Sequence, residues 1–415
     1  MTDLRSPVAR YASRLHAVLG DRHHVASPLG AWLLLALSAP AATDRSRDDL
    51  ATVLGMDASA AADAARALLD RPHPLVGAAS GVWHGTGCDA GRLDAWRATL
   101  PAGTAVGPLP EPAELDAWAR EHSLGLIEEF PIRVGPDLVL LLASALATRI
   151  SWADPFEVDD AAALGAGSPW AGRLARVLRT PQRGHHCWIA STPRAGEVIV
   201  HAAPARPADD GAGLLVVSVA AHPDVPAVDV LAAAHDIALR AADAPDGHRP
   251  GSLYDLPLGV TPLWTLREEV VHTNAPGGRD ERLAAVLPAW SARDTHDLAT
   301  AELGFPAAAE GLADLLGGGR FEVEVKQATA ARFGRHGFEA AAVTGFAMRT
   351  SLPPEGVVRV AELRFGHPYA AVAVATDQPS DAPAGPWHGV PVFSAWVAEP
   401  QELTEADLAD PPTEW

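Results

Sequence analysis

The order of the hydrophobic patterns along the chain limits its fold more than any other feature. Apolar residues recur at helical spacing near the start, whereas later parts carry short apolar runs typical of strands. We predict helices over residues 7–20, 28–37, 45–54 and 58–69. We predict strands over residues 136–148, 213–221, 321–333, 357–365, 369–376 and 391–398. Helices followed by strands indicate an α+β fold.

The second predicted helix has clear start signals. Ser27 is a residue type that caps helix N-termini, and Pro28 fits the first helical turn. The residues from Leu29 to Leu37 are apolar on nearly every side, which predicts a buried helix. Gly55 is a typical stop for the third helix.

No composition shift divides the chain cleanly, so we predict a single domain over residues 1–400. The acidic tail over residues 401–415 is expected to fray. Segments rich in proline and glycine predict loops over residues 202–212, 243–251, 274–279 and 377–387.

The charge balance excludes two classes of partner. The chain has 52 acidic residues against 32 basic ones and a formal net charge of -20, which would repel nucleic acid and anionic membranes. The N-terminus lacks the apolar run and the cleavage site of a secretory signal. We therefore expect a soluble, cytoplasmic monomer, with export by another route left open.

Conventional catalytic motifs are missing from the sequence. It contains no GxSxG, no HExxH and no P-loop, so we expect neither an enzyme nor a bound cofactor. His185, His186 and Cys187 could be metal ligands, but no second ligand cluster accompanies them, and surface histidines are the better interpretation. His23 and His24 are predicted to lie in a loop.

One stretch, GFEAAAVTGFAMRTSLPPEG at residues 337–356, fits no regular element. Its first part is small and apolar, with neither helical nor strand periodicity, and Pro353-Pro354 cannot continue regular structure. It is longer than an ordinary connection between two strands. Such long loops tend to be functional or disordered.

Several segments, in order along the chain, resemble motifs of the serpin family. HHVASPLGAWLLLALSAPAA resembles the family's Ser-Pro turn and buried second helix. LDAWAREHSLGLIEEF resembles a helix with tryptophan, glycine and isoleucine at fixed spacing. LVLLLASALATRISWADPF resembles the central strand that ends in Trp-x-x-Pro-Phe, and this places Trp152 at a matching position.

The last third of the chain carries the most specific part of the resemblance. VKQATAARFGRHGFEAAAVT is similar to the family's strand and hinge, where Gly-x-Glu-Ala-Ala-Ala precedes a mobile loop. The matching residues are Gly337, Glu339, Ala340, Ala341, Ala342 and Thr344. RFGHPY and VFSAWVAEP resemble the two strands that follow that loop.

The resemblance implies N-terminal helices packed on a large central β-sheet, further sheets, and an exposed reactive loop at about residues 337–356. It also implies a protease inhibitor. A protease cleaves the loop and forms an acyl-enzyme, and the freed loop inserts into the main sheet as a new strand, which distorts the protease. The implied partner is a serine protease, trypsin-like or subtilisin-like, with a cysteine protease as the alternative.

The family's usual distance from the hinge places the scissile bond near Ser351-Leu352. We favour Arg349-Thr350, because a guanidinium pairs with the carboxylate of a trypsin-like pocket. Cleavage after Met348 would suit a chymotrypsin-like or subtilisin-like pocket. All three bonds stay open.

Serpins carry a hydrogen-bonded polar cluster beneath the sheet that controls its opening. This chain retains Ser27 there, with Gly30 and Ser144 where the family has serine and asparagine, and Lys326 or Gln327 near the family's histidine. We assign to this sheet-opening region Ser27, Ser144, Trp152 and Lys326.

Phe338 departs from the family at the hinge, where inhibitors carry a small threonine or serine. A bulky ring would slow the entry of the loop between packed strands and turn an inhibitor into a substrate. Two functions therefore remain open. One is suicide inhibition of a protease, and the other is a non-inhibitory serpin-fold protein that binds a partner or a small molecule.

Overall fold

The computed structural model describes residues 3–85, 90–135, 138–244, 251–316, 324–337, 355–377 and 383–409. Within these ranges no helix is both long enough and apolar enough to cross a membrane.

The first four helices occupy the segments predicted for them. The helices are α1 (Arg5–Leu19), α2 (Pro28–Ser38), α3 (Asp44–Leu54), α4 (Ala58–Leu69), α5 (Ala90–Arg97), α6 (Pro112–His122), α7 (Ala227–Ala242), α8 (Phe305–Leu315) and α9 (Glu405–Leu408). Ser27 caps α2 as predicted, since its Oγ accepts a hydrogen bond from the Gly30 amide at 3.1 Å. Gly55 ends α3 with a φ of 72°, a left-handed conformation that glycine adopts without strain.

The strands in the described part of the chain are β1 (His24–Ala26), β2 (Gly77–His84), β3 (Ala105–Pro108), β4 (Leu140–Ala147), β5 (Glu157–Asp160), β6 (Arg176–Arg179), β7 (His186–Thr192), β8 (Gly196–Pro204), β9 (Gly213–Ala221), β10 (Gly259–Val260), β11 (Trp264–His272), β12 (Arg279–Leu287), β13 (Trp290–Asp297), β14 (Lys326–Phe333), β15 (Glu355–Arg364), β16 (Tyr369–Thr376) and β17 (Pro391–Val397). Six of the strands, namely β4, β9, β14, β15, β16 and β17, lie close to the six predicted segments, and the others were not predicted.

The described strands form four sheets. One six-stranded sheet has the order β1-β17-β16-β9-β8-β7, and another has the order β10-β11-β15-β12-β6-β5. A three-stranded sheet, β3-β2-β4, and a two-stranded sheet, β13-β14, complete the set. The architecture is the predicted α+β fold, with the first helices packed against sheets formed by later strands.

The buried core lies between helices and sheets. α2 is buried on almost every side, and its Trp32, Leu33 and Leu35 have no exposed surface, as its apolar sequence predicted. The helix packs against β4 and β17 as well as against α1 and α4. This position places the start of α2 directly beneath the sheets that form the candidate site.

Three predictions about local structure are wrong. His24 does not lie in a loop, because it begins β1, is fully buried and pairs with Trp396 of β17. The loop predicted over residues 202–212 starts later, since β8 extends to Pro204. The tail does not fray over residues 401–409, where Leu403 and Asp407 are buried against the body of the protein.

Candidate functional site: a groove between two strand edges

β4 and β14 are edge strands of two different sheets in the described chain. β4 pairs only with β2, and β14 pairs only with β13. Within the described residues, no ladder joins β4 to β14. Unpaired edges present free amide and carbonyl groups that can template a further strand.

A row of cavities runs between these two edges, and both strands line it. The widest cavity, of about 360 Å³, lies at the end marked by Leu138 and Glu324 and extends to α8. A second, of about 70 Å³, lies between residues 142–146 and 326–329. A third, also about 70 Å³, reaches Gly337. We call this row the groove.

The two strands lining the groove run in the same direction. Both start at the wide end and finish near Ser151 and Gly337, which form an isolated antiparallel bridge. A chain that leaves β14 and enters the groove must therefore reverse its direction. Once inside, it would run antiparallel to both neighbours, which is a well-paired arrangement.

Backbone hydrogen bonds close the groove at the Gly337 end. The Trp152 amide donates to the His336 carbonyl at 3.2 Å, and the Phe156 amide donates to the Arg335 carbonyl at 3.0 Å. The buried Trp152 indole also donates to the Gly334 carbonyl at 2.9 Å. Trp152, which the sequence assigned to the sheet-opening region, thus contacts the residues just before Gly337, and its role in opening the sheet stays a prediction.

Gly337 is constrained by its backbone conformation. Its φ is +80°, and a Cβ there would lie 2.3 Å from the Ile150 carbonyl oxygen. Any residue with a side chain would therefore strain this turn. The glycine predicted as the start of the hinge is the last described residue after β14 and lies at one end of the groove, which we call its mouth.

A polar cluster lies beneath the middle of the groove. Ser27 exchanges two hydrogen bonds of 2.9 Å with the Gln327 amide side chain, one through its N–H and one through its C=O. Ser144 of β4 donates to the Gly30 carbonyl at 3.0 Å. Each edge strand is thus attached to the start of α2 rather than to the other strand.

The prediction for Lys326 needs correction. Its ammonium pairs with the Glu324 carboxylate and lies beside the groove, but the residue that binds Ser27 is Gln327. Strand alternation explains the outcome, because neighbouring side chains point to opposite faces of a strand. Sequence analysis left both residues open, and only the register of β14 decides between them.

The tail holds the segment just before Gly337. Asp407 of α9 accepts hydrogen bonds from the Arg332 guanidinium at 2.5 Å, the Arg335 amide at 3.1 Å and the Thr404 hydroxyl at 2.7 Å. Burial raises the pKa of the Asp407 carboxyl, but the hydrogen bonds from Thr404 and Arg335 and the charge of Arg332 outweigh it, so the net pKa is lowered. We call residues 403–409 the latch.

The latch was not predicted from the sequence, although one signal for it is present there. Thr404 and Asp407 form a capping box at the start of α9, and threonine followed three residues later by an acidic residue predicts a helix start. The partners Arg332 and Arg335 could not be predicted, because the contact joins residues about 70 positions apart.

The remaining hinge and loop predictions lie outside the described residues. They are Phe338, Glu339, Ala340, Ala341, Ala342, Thr344, Met348, Arg349, Thr350, Ser351 and Leu352. The structure brings together at one groove the other predicted site residues, namely Ser27, Ser144, Trp152, Lys326 and Gly337.

The histidine prediction is wrong in its location. His185 is half-buried rather than a freely exposed surface residue: desolvation lowers its pKa to about 4, and its ring shares a 3.0 Å hydrogen bond with the buried His201. His186 lies in β7, and the Cys187 thiol is buried. No group of three or more potential metal ligands occurs in the described part of the chain.

Comparison with known proteins gives matches at the level of structure alone. No family model and no curated protein sequence matches this chain. Solved structures match along almost the whole length. Human thyroxine-binding globulin complexed with thyroxine superposes with a TM-score of 0.62 and 14% identity, over 96% of this chain and 99% of the other.

Two further matches come from other organisms. The Arabidopsis serpin AtSerpin1, in its native stressed conformation, has a TM-score of 0.59 and 13% identity over 96% of this chain and 99% of its own. A serpin from the trematode Schistosoma haematobium has a TM-score of 0.57 and 15% identity, over 97% and 100%. At these identities the similarity establishes the fold and leaves the activity open.

Proposed function

We propose that this chain, which has the serpin fold, inhibits a serine protease by inserting its cleaved loop into the groove between β4 and β14. The observation that carries the proposal is the groove itself. It is lined by two parallel strand edges, and the predicted reactive loop starts at its mouth, at Gly337. A cysteine protease is the alternative target.

The length of the groove fits the predicted loop. Each edge strand takes about 13 residues to run from the wide end to the Gly337 end, at an extended rise of about 3.3 Å per residue. An inserted strand that starts at Phe338 would therefore reach the wide end near residue 350. That position falls among the candidate scissile bonds, so an acyl-linked protease would be carried to the far end of the sheet.

Insertion would be strongly favourable. About a dozen inserted residues gain backbone hydrogen bonds worth roughly 1 kcal/mol each, so the total is on the order of 10 kcal/mol. The uninserted state must then be held by a kinetic barrier. Bonds at Trp152 and Phe156, together with the latch, hold the groove closed at the end where insertion would begin.

The far end of the loop is firmly anchored. β15 is an interior strand, paired antiparallel with β11 over residues 355–363 and parallel with β12 over residues 357–364. Full insertion of an intact loop would pull on β15 and break ladders on both sides. The arrangement therefore supports a mechanism in which loop cleavage precedes insertion.

Side-chain size favours insertion for most of the hinge and opposes it at one position. Alternate residues of an inserted strand face the core. Alanines at 340 and 342 enter easily, whereas the bulky Phe338 ring would have to enter beside Gly337, where the cavity is small, about 70 Å³. Phe338 is the observation that favours the second candidate, a non-inhibitory protein that binds a partner or a small molecule.

A gel assay tests the proposal. The purified protein is mixed with trypsin and with subtilisin, and the products are separated under denaturing conditions. We expect a complex that survives denaturant, with Phe338→Thr trapping protease faster because a smaller side chain enters the sheet. Arg349→Gln should abolish the trypsin complex. It should leave the subtilisin complex intact if subtilisin cleaves after Met348 or Ser351.

Clean cleavage without a complex, in both the wild type and Phe338→Thr, would contradict inhibition and support the binding-protein alternative. A complex that forms equally fast in both proteins would retain inhibition and remove Phe338 as its limiting residue.

A further inference from the structure

A cleft remote from the groove has features of a small-molecule site. It has a volume of about 440 Å³ and lies between α7 and the hairpin of β7 and β8. Ala233, Ile237 and Ala241 face it from α7, and their spacing of four residues places them on one side of the helix. Trp188 of β7 faces it from the sheet.

The cleft exists because small residues oppose each other across it. Alanines at 190, 233 and 241 leave room between the helix and the hairpin, and the buried Trp188 and Ile237 provide an apolar floor. Pockets for small ligands combine such an apolar lining with a few polar groups. The volume suits a molecule with one or two fused aromatic rings.

The hairpin wall is held in place before any ligand binds. The Thr192 hydroxyl accepts a hydrogen bond from the Ala195 amide at 3.0 Å and donates one to the Gly196 carbonyl at 3.3 Å. Pro193 further restricts the turn. A wall ordered in advance lowers the entropic cost of binding.

The net charge of the residues that line the cleft is opposite in sign to the net charge of the whole chain. The chain carries a net charge of -20, yet two arginines and one aspartate line this cleft. Arg194 approaches Asp229 at 3.8 Å. Arg240 forms no ion pair with any residue that the structure describes. Arg240 is thus available to pair with a carboxylate of the ligand.

We propose that this cleft binds a small aromatic carboxylate, with its ring against Trp188 and Ile237 and its carboxylate at Arg240. The proposal is independent of protease inhibition, since the cleft and the groove share no lining residue in the structure.

Calorimetric titration of the intact protein with naphthalene-1-acetate tests the proposal. We expect saturable binding with a Kd below about 1 mM, and binding at least five-fold weaker for the uncharged 2-(1-naphthyl)ethanol. Arg240→Gln should weaken naphthalene-1-acetate binding at least five-fold. Ala233→Leu should abolish it, because the larger side chain would fill the room that the alanine leaves in the cleft. The control Arg293→Gln, an exposed change on β13, should leave the affinity unchanged.

A thermal melt of each variant checks that it folds. Arg240 is exposed, so Arg240→Gln should fold and still test the proposal if Ala233→Leu does not fold. No saturable binding below 1 mM would overturn the proposal. The same affinity in the wild type, Arg240→Gln and Ala233→Leu would overturn it as well, because the probe would then bind elsewhere.

Discussion

His24 shows how one side chain can tie stability to pH. Its ring shares a 2.8 Å hydrogen bond with the buried His16 and another of 2.8 Å with the Arg22 carbonyl, and His296 and Asp294 lie nearby. Burial is the main cause that lowers the pKa of His24 to about 4. In the unfolded chain a histidine titrates near pH 6.5.

The sign of the pH effect follows from these two values. Between about pH 6.5 and 4 the unfolded chain takes up a proton that folded His24 refuses, so acid favours unfolding. At pH 5 the loss from His24 is about 2 kcal/mol. We expect a lower thermal midpoint at pH 5.0 than at pH 7.5, and a smaller difference for His24→Gln. The exposed His222→Gln should keep the wild-type difference, and equal differences in all three proteins would contradict this account.

At the scale of elements, three sets of contacts hold β14. β13 pairs with one edge, Gln327 near the start of the strand binds Ser27, and the latch binds Arg332 near its end. These contacts compete with strand insertion, because β14 must separate further from β4 to admit a new strand. If the proposed insertion occurs, these contacts are part of the barrier against it.

Removing the charge of the latch should weaken it. Asp407→Asn replaces an acceptor of four hydrogen bonds, one of them from an arginine guanidinium, with a neutral amide, which should cost about 1–3 kcal/mol. We expect a lower thermal midpoint for the uncleaved protein. Glu405→Gln, an exposed change in the same helix, is the matched control. Equal midpoints for wild type and Asp407→Asn would mean that the latch does not stabilise the uninserted state.

At the scale of the whole molecule, helices and strands could be predicted from local sequence patterns, whereas contacts between distant residues could not. The α2 boundaries followed from Ser27, Pro28 and the apolar run, and β9 and β16 followed from continuous apolar segments. Such signals act through neighbours along the chain, so they can be recognised in one sequence. The resemblance of ordered motifs also predicted the serpin fold.

The site was predictable only in part. Gly337, Ser27, Ser144 and Trp152 all line the groove, because motif order fixes their places in the fold, whereas their roles in the hinge and in sheet opening stay predictions. The choice of Gln327 over Lys326 depends on strand register, and the docking of residues 403–409 depends on contacts distant in sequence. Neither leaves a periodic pattern, so neither could be predicted from local spacing.

The measurement that tests the central claim most directly is the thermal midpoint before and after cleavage of the loop by a protease. If the cleaved loop inserts between β4 and β14, a gain on the order of 10 kcal/mol should raise the midpoint by roughly 10 °C, given the unfolding entropy of a chain this long. An unchanged or lower midpoint after complete cleavage would show that the loop stays out of the groove and would contradict the insertion mechanism.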